Sequence, residues 1–304
     1  MTEQDLTDGP GHSKDLDLWL DEVGGWFRDW GDTDWEERIV RAAAHNLNEF
    51  GYDPFGMRPG FIRKLIPLIR FLYRVYFRVQ AHGTHFIPPK GRVMFVGNHG
   101  GQIPIDGMLV AAAVALEADP PRILRSMVER WVPTLPFVSL FMSRCGQVLG
   151  DPANSRHLLE QEEAILVYPE GVKGISKTWH DRYRLQEFGN GFMRLALETK
   201  TPIVPVATVG LEDAVPALHN SRFLAKLFGA PSFPITPTFP WLLPFGLLPY
   251  PVKIHVDFGE PLVFRGHPDE EDEVIDGKVD EVKAVIQGML DERLARRGKL
   301  FGRW

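Results

Sequence analysis

The 304 residues contain one cysteine, Cys145. That excludes an internal disulfide framework and a multi-cysteine zinc site, and it fits a reducing compartment. No uninterrupted apolar run reaches the about 18 residues that a simple spanning helix needs. Positive charge is not in excess: 34 Lys and Arg stand against 40 Asp and Glu, for a net charge of -6, so the chain as a whole is not composed to bind nucleic acid. The opening MTEQDLTDGPGHSKDLD is polar and acidic and lacks the apolar centre of a secretory signal. What remains is ordinary globular composition, 44% hydrophobic and 24% charged. Its length suits one large domain, or one domain with an appendage.

Residues 1–17 read as a polar tail. Trp19, Val23, Trp26, Phe27 and Trp30 then recur at helical spacing, as do Ile39, Ala42, Ala43, Leu47 and Phe50. Residues 1–60 are therefore expected to be a tail and a helical appendage. Phe61 to Val79 differs. It carries Arg63, Lys64, Arg70, Arg74 and Arg78, no acidic residue, and many apolar and aromatic side chains. Arg70, Arg74 and Arg78 share a face if this is one helix. Residues 61–80 thus read either as a basic amphipathic helix in a membrane interface or as a helix packed on a sheet with its arginines in water.

From residue 81 to 265, apolar strands alternate with helical patterns. Strands are expected at Val93–Val96, Arg122–Val128, Gln147–Leu149, Ala164–Tyr168, Ile203–Val209 and Val252–Phe258, with helices at Met108–Leu116, Ala153–Glu163 and Gly191–Thr199. The alternation predicts an α/β domain with a largely parallel central sheet flanked by helices. Phe223 to Pro251 is apolar, aromatic and broken by prolines. It must cover a core, line an apolar pocket or meet a membrane. Residues 266–304 read as a solvated C-terminal helix and tail.

Two turns gather reactive side chains. Val93-Met94-Phe95-Val96 runs into Gly97-Asn98-His99-Gly100-Gly101, and Asp106 stands just before an Ala-rich helix. This places a His at a strand exit and a carboxylate at a helix entrance, where Asp106 is expected to cap. Open α/β sheets bind ligands beyond the carboxyl ends of their strands. A carboxylate there can hold an imidazole in one tautomer so that the other nitrogen acts as a base. The second turn, Tyr168-Pro169-Glu170-Gly171-Val172-Lys173-Gly174 with Lys177 beyond it, suits a polar or phosphate-bearing substrate.

Asn98-His99 with Asp106, Tyr-Pro-Glu-Gly at 168–171 and Thr-Pro-Ile-Val-Pro-Val at 201–206 occur in the order and rough spacing of the glycerolipid acyltransferase blocks. Over roughly residues 60–265 the chain resembles the lysophospholipid and glycerolipid acyltransferase superfamily. It looks closest to the monoacylglycerol and diacylglycerol acyltransferase-like branch. The resemblance implies transfer of an acyl group from acyl-CoA or acyl carrier protein, as co-substrate, to a glycerolipid hydroxyl. No metal or other cofactor is implied. His99 would be the general base and Asp106 its orienting partner. Glu170 and Gly171 match the acceptor-binding block, with Lys173 and Lys177 beside them, and Gly100 and Gly101 would form the turn at the oxyanion. The implied setting is cytoplasmic and peripheral on a membrane, with the lipid surface as partner; the Phe61–Val79 helix would seat the protein there and the 223–251 stretch would help bury acyl chains. Two departures stand out. Six residues separate His99 from Asp106 where the common motif has four, and Lys173 falls where many members have Arg. Gly146 is the candidate glycine of the family's second block, without a following Arg. A lipid-binding protein of the same fold that transfers nothing, and a hydrolase, are the alternative readings.

Overall fold

The computed structural model describes residues 33–102, 105–132, 138–242 and 245–297. The expected tail and the helix carrying Trp19 to Trp30 lie outside these. The first described helix is α1 (Thr33–Ala43), with Asp34 and Glu36 in its first turn. It ends earlier than the apolar spacing suggested: Leu47 lies beyond it and Phe50 is exposed.

Helix α2 (Pro59–Phe71) begins on a proline and passes through a π turn at Leu72–Tyr76. The extra residue of the π turn shifts the helical register, and Arg78 lies past the end with φ +45°. The arginine stripe of an unbroken helix is therefore not formed. Arg74 pairs with Glu117 at 2.8 Å, and Arg78 donates to the carbonyl of Pro251 at 2.6 Å. Phe61, Leu65, Ile66, Tyr73 and Phe77 are buried in the core. The apolar face that would have entered a membrane interface is used inside the protein.

The chain then enters a sheet of seven strands: β1 (Gln80–His82), β2 (Val93–Gly97), β3 (Leu124–Val128), β4 (Val148–Leu149), β5 (Ala164–Val167), β6 (Ile203–Val209) and β9 (His255–Phe258), the last following a small hairpin of β7 (His219–Asn220) and β8 (Pro234–Ile235). The spatial order is β1-β9-β6-β2-β5-β3-β4, and every pairing is parallel except β6 with β9. The central strand β2 has Val93 to Val96 wholly buried, which explains its unbroken apolar run. Its alternate residues face two cores. Phe95 packs with α2 and with α3 (Ile105–Glu117), whereas Met94 and Val96 pack with the helices of the other layer.

That other layer holds α5 (Pro152–Glu160), α7 (Gly191–Thr199) and α10 (Asp272–Arg296). Asp151 caps α5 through the Ala153 N–H at 2.9 Å, with Pro152 in its first turn. The C-terminal helix is not simply solvated: Ile275, Val279, Val282, Ile286 and Leu290, spaced three and four apart, form a buried stripe against the sheet. Four short helices complete the set: α4 (Val138–Arg144), α6 (Gly171–Ile175), α8 (Leu211–Ala214) and α9 (Arg222–Phe228). No described helix is long and apolar enough to cross a membrane.

Candidate active site

The carboxyl ends of β2, β5 and β6 lie side by side, and three turns leave them together. Asn98 fixes the first. Its amide donates to the Thr208 carbonyl at 3.0 Å and accepts from the Thr208 N–H at 2.7 Å, extending the β2–β6 ladder by one side chain. His99 therefore leaves the sheet from a clamped position. Gly101 and Gln102, at φ +87° and +62°, turn the chain back. At Gly100 a Cβ would come within 2.9 Å of the Glu212 side chain, so only glycine fits.

The longer spacing closes the dyad. His99 Nδ1 meets Asp106 Oδ2 directly, and both side chains are buried. Asp106 lies inside the first turn of α3 rather than capping it. Its Oδ1 accepts from the Gly107 N–H at 2.8 Å and its Oδ2 from the Gly100 N–H at 3.2 Å. This revises the expectation for Gly100, whose N–H orients the carboxylate and is not free for an oxyanion. The Tyr168 ring stacks on the imidazole, with centroids 4.4 Å apart and planes within 8°. Burial, with Asp106 nearby, pushes the Tyr168 phenol well above its usual pKa, so it stays neutral.

Beneath the dyad runs a chain of buried charges. Glu170 Oε1 accepts from the His99 N–H at 2.8 Å, and its Oε2 accepts from the Gln186 N–H at 2.7 Å. Lys177 Nζ stands 3.3 Å from Glu170 and 2.8 Å from Glu212, and Glu212 also accepts the Tyr183 N–H. Burial alone would lower the Lys177 pKa. Glu212 and Glu170 outweigh it, so the pKa is raised and the ammonium stays charged. Burial raises that of Glu212, against the pull of Lys177. Gln102 Nε2 closes the network on the Lys177 carbonyl at 2.6 Å.

A cavity of about 320 Å³ opens at His99 and Asp106. It runs between α2, α3 and β3, with Ile62, Ile69, Met108, Ala111, Ala115 and Val128 among its walls. Among the described residues, none of 223–251 lines it, so the expected acyl-burying stretch is not part of this cavity.

The family described as Acyltransferase matches residues 78–209. An uncharacterized protein of Mycobacterium tuberculosis is 38% identical over 261 residues, covering 84% of this chain and 72% of that one. The DGAT1/2-independent enzyme synthesizing storage lipids of Gallus gallus is 24% identical over 193 residues, covering 63% of this chain and 54% of that one. The crystal structure of the 1-acyl-sn-glycerophosphate (LPA) acyltransferase, PlsC, of Thermotoga maritima shares the fold, with a TM-score of 0.52, 16% identity and 93% of each chain covered. Over residues 78–209 the chain belongs to the Acyltransferase family.

In this acyltransferase the structure brings together His99, Asp106, Glu170 and Lys177, with Gly100 and Gly101 forming the turn and Gly171 on the cavity wall. It does not bring Lys173. That ammonium is exposed and paired with Glu187 at 2.8 Å. Lys177 is enclosed by two carboxylates and does not reach the cavity. Gly146, at φ +84°, makes room for the buried Arg125, whose guanidinium a Cβ would approach to 2.8 Å. Among the described residues, no three His, Cys, Asp or Glu side chains gather to hold a metal. Sequence reading missed Glu212. It lies just past the apolar strand β6, next to Gly210 at φ +116°, and a buried carboxylate at a strand exit was the available signal.

Proposed function

We propose that the protein transfers a fatty acyl group from acyl-CoA or acyl carrier protein to a hydroxyl of a glycerolipid. The observation that carries this is the His99–Asp106 pair at the mouth of an apolar cavity. With Nδ1–H donated to Asp106, Nε2 is left as the base. It takes the proton of the acceptor hydroxyl as the oxygen attacks the thioester carbonyl, and Asp106 stabilises the imidazolium that forms. Collapse of the tetrahedral adduct breaks the carbon–sulfur bond. The imidazolium then returns the proton to the departing thiolate. No covalent acyl-enzyme is required. The acyl chain occupies the cavity between α2 and α3, whose walls are mostly apolar.

The acceptor favoured here is a neutral one, a mono- or diacylglycerol. Lys173 and Lys177, the two cations expected to hold a phosphate, are paired with carboxylates away from the cavity. The name of the Gallus gallus relative, a storage-lipid enzyme, supports the same choice.

The test is purified protein with labelled acyl-CoA or acyl carrier protein and a panel of lysophospholipids, monoacylglycerols and diacylglycerols. Acylated neutral lipid is expected, lost in His99→Ala and Asp106→Asn. Preference for a phosphate-bearing acceptor would overturn the choice of acceptor. Free fatty acid without acylated lipid would indicate a hydrolase, and lipid binding with no turnover a binding protein.

A further inference from the structure

We propose that the stretch from Val215 to Pro251 is a membrane-docking surface that seats the active site on an anionic lipid bilayer. This deepens the acyltransfer reading by naming the surface through which the site meets its lipid.

Trp241, Phe223 and Phe245 are 84%, 76% and 69% exposed, and Leu218, Leu227, Phe228, Leu242 and Leu248 are exposed beside them. Phe233 joins the two groups, its ring 5.2 Å from that of Phe228 and 5.3 Å from that of Phe239, and exposed apolar side chains gathered in this way mark an interaction site. The charge around it has one sign. From Ala214 to Val256 the chain carries no Asp or Glu, while Arg222, Lys226 and Lys253 are exposed. On α9, Arg222 and Lys226 form one row and Phe223 and Leu227 the next, the four-residue spacing putting each pair on one side of the helix. A basic row beside an apolar row, with a tryptophan nearby, complements anionic headgroups over acyl chains.

The surface rests on a bonded base. The Gly246 carbonyl accepts from Thr236 Oγ1 at 2.7 Å and from Thr238 Oγ1 at 2.9 Å, and the Gly246 N–H donates to the Leu242 carbonyl at 2.7 Å. Gly246 is required there, since a Cβ would sit 2.5 Å from the Thr238 carbonyl oxygen. The Tyr250 N–H donates to the Ala214 carbonyl at 2.7 Å, and Tyr76 Oη to the Pro249 carbonyl at 2.6 Å. The exposed aromatics are thus held outward by structure.

Its position joins it to the catalytic turn. The stretch leaves the carboxyl end of β6, beside the end of β2 that carries His99. Asn220 Nδ2 donates to the Ser176 carbonyl at 2.6 Å, and Ser232 Oγ to Gln102 Oε1 at 3.4 Å. A bilayer meeting this face brings acceptor hydroxyls to the His99 end of the sheet.

Flotation of the full chain with vesicles tests this without needing turnover. Wild type is expected to float with vesicles of phosphatidylcholine and phosphatidylglycerol, and less with phosphatidylcholine alone or at high salt. Trp241→Ser with Phe245→Ser should reduce binding to both vesicle types. Arg222→Glu with Lys226→Glu should weaken binding about tenfold or more on anionic vesicles alone. Phe50→Ser, an exposed aromatic outside the stretch, should float like wild type, and circular dichroism should show all variants folded. Failure of wild type to float, or flotation of the patch variants equal to wild type, overturns the proposal. A dimer dissolved by the same variants, without vesicle binding, also overturns it. Patch-dependent flotation with no acyl transfer to any acceptor would instead leave the surface standing and remove the acyltransfer reading.

Discussion

The floor of the site and the wall of its cavity are built in opposite ways. On the floor the charged groups are committed: both Asp106 oxygens and both Glu170 oxygens accept hydrogen bonds, and the Lys177 ammonium is ion-paired with Glu170 and Glu212. The wall is mostly apolar, supplied chiefly by α2, α3 and β3, and holds open space. Directional bonds fix the floor to one geometry, which general-base chemistry needs. Dispersion and burial have no direction, so the wall need only be apolar and leave enough room. One mutation in the floor should therefore abolish function, and one in the wall should only change which chain fits.

The largest expected effect is at the dyad. His99→Ala should lower kcat by about 10²–10⁴-fold, the usual worth of a general base, and Asp106→Asn should fall in the same range. Steady-state assays on folded variants read this. A loss under tenfold would mean that the imidazole is not the base.

The next effect is on stability. Lys177→Met leaves Glu170 and Glu212 buried without their counter-ion, and breaking such a pair costs about 3–5 kcal/mol. Glu212→Gln should cost less, because Glu170 still partners Lys177. Urea unfolding would show the order, and equal losses would mean that the three groups do not act as one network.

The wall gives a smaller, selective effect. Ala111 and Ala115 face the cavity from successive turns of α3, with Ala115 about 6 Å further along the axis. Phe at either position should penalise long acyl donors over short ones by about ten- to a hundredfold, Ala111→Phe at shorter chain lengths. A uniform loss across donors would place the acyl chain elsewhere.

This contrast explains what could be read in the sequence. The floor is made of short turns whose residues touch one another, so His99, Asp106 and Glu170 stood out as local motifs, and β6 was bounded correctly at Ile203–Val209. The wall is assembled from elements far apart in the chain. Phe61–Val79 and Phe223–Pro251 are both apolar and free of acidic residues in sequence, and composition does not say which is covered. The structure buries Phe61, Leu65 and Tyr73 and leaves Phe223, Trp241 and Phe245 in the open. Lys173 and Lys177 are similarly alike in sequence. Only the three-dimensional position of Glu212, brought over by β6, separates a buried ion from an exposed one.

The smallest effect lies at the other end of the sheet. There His45 Nε2 meets Glu163 at 2.8 Å, beside the buried Arg125 and Asp53. The hydrogen bond that Nε2 donates to Glu163 raises the His45 pKa above 6.5, against burial. A raised folded pKa stabilises fully below the unfolded value, and the contribution is lost as pH rises through the folded one. His45 is part-exposed, so the pair contributes about 0.5 kcal/mol, or about 1–2 °C in Tm. Wild type should therefore melt above His45→Gln in mild acid, and the difference should vanish as pH rises past the elevated value. Acyl transfer should be unchanged, because nothing in this pair touches the His99 turn. An activity loss in His45→Gln would show that the two ends of the sheet are coupled, and that the site depends on more than its own floor.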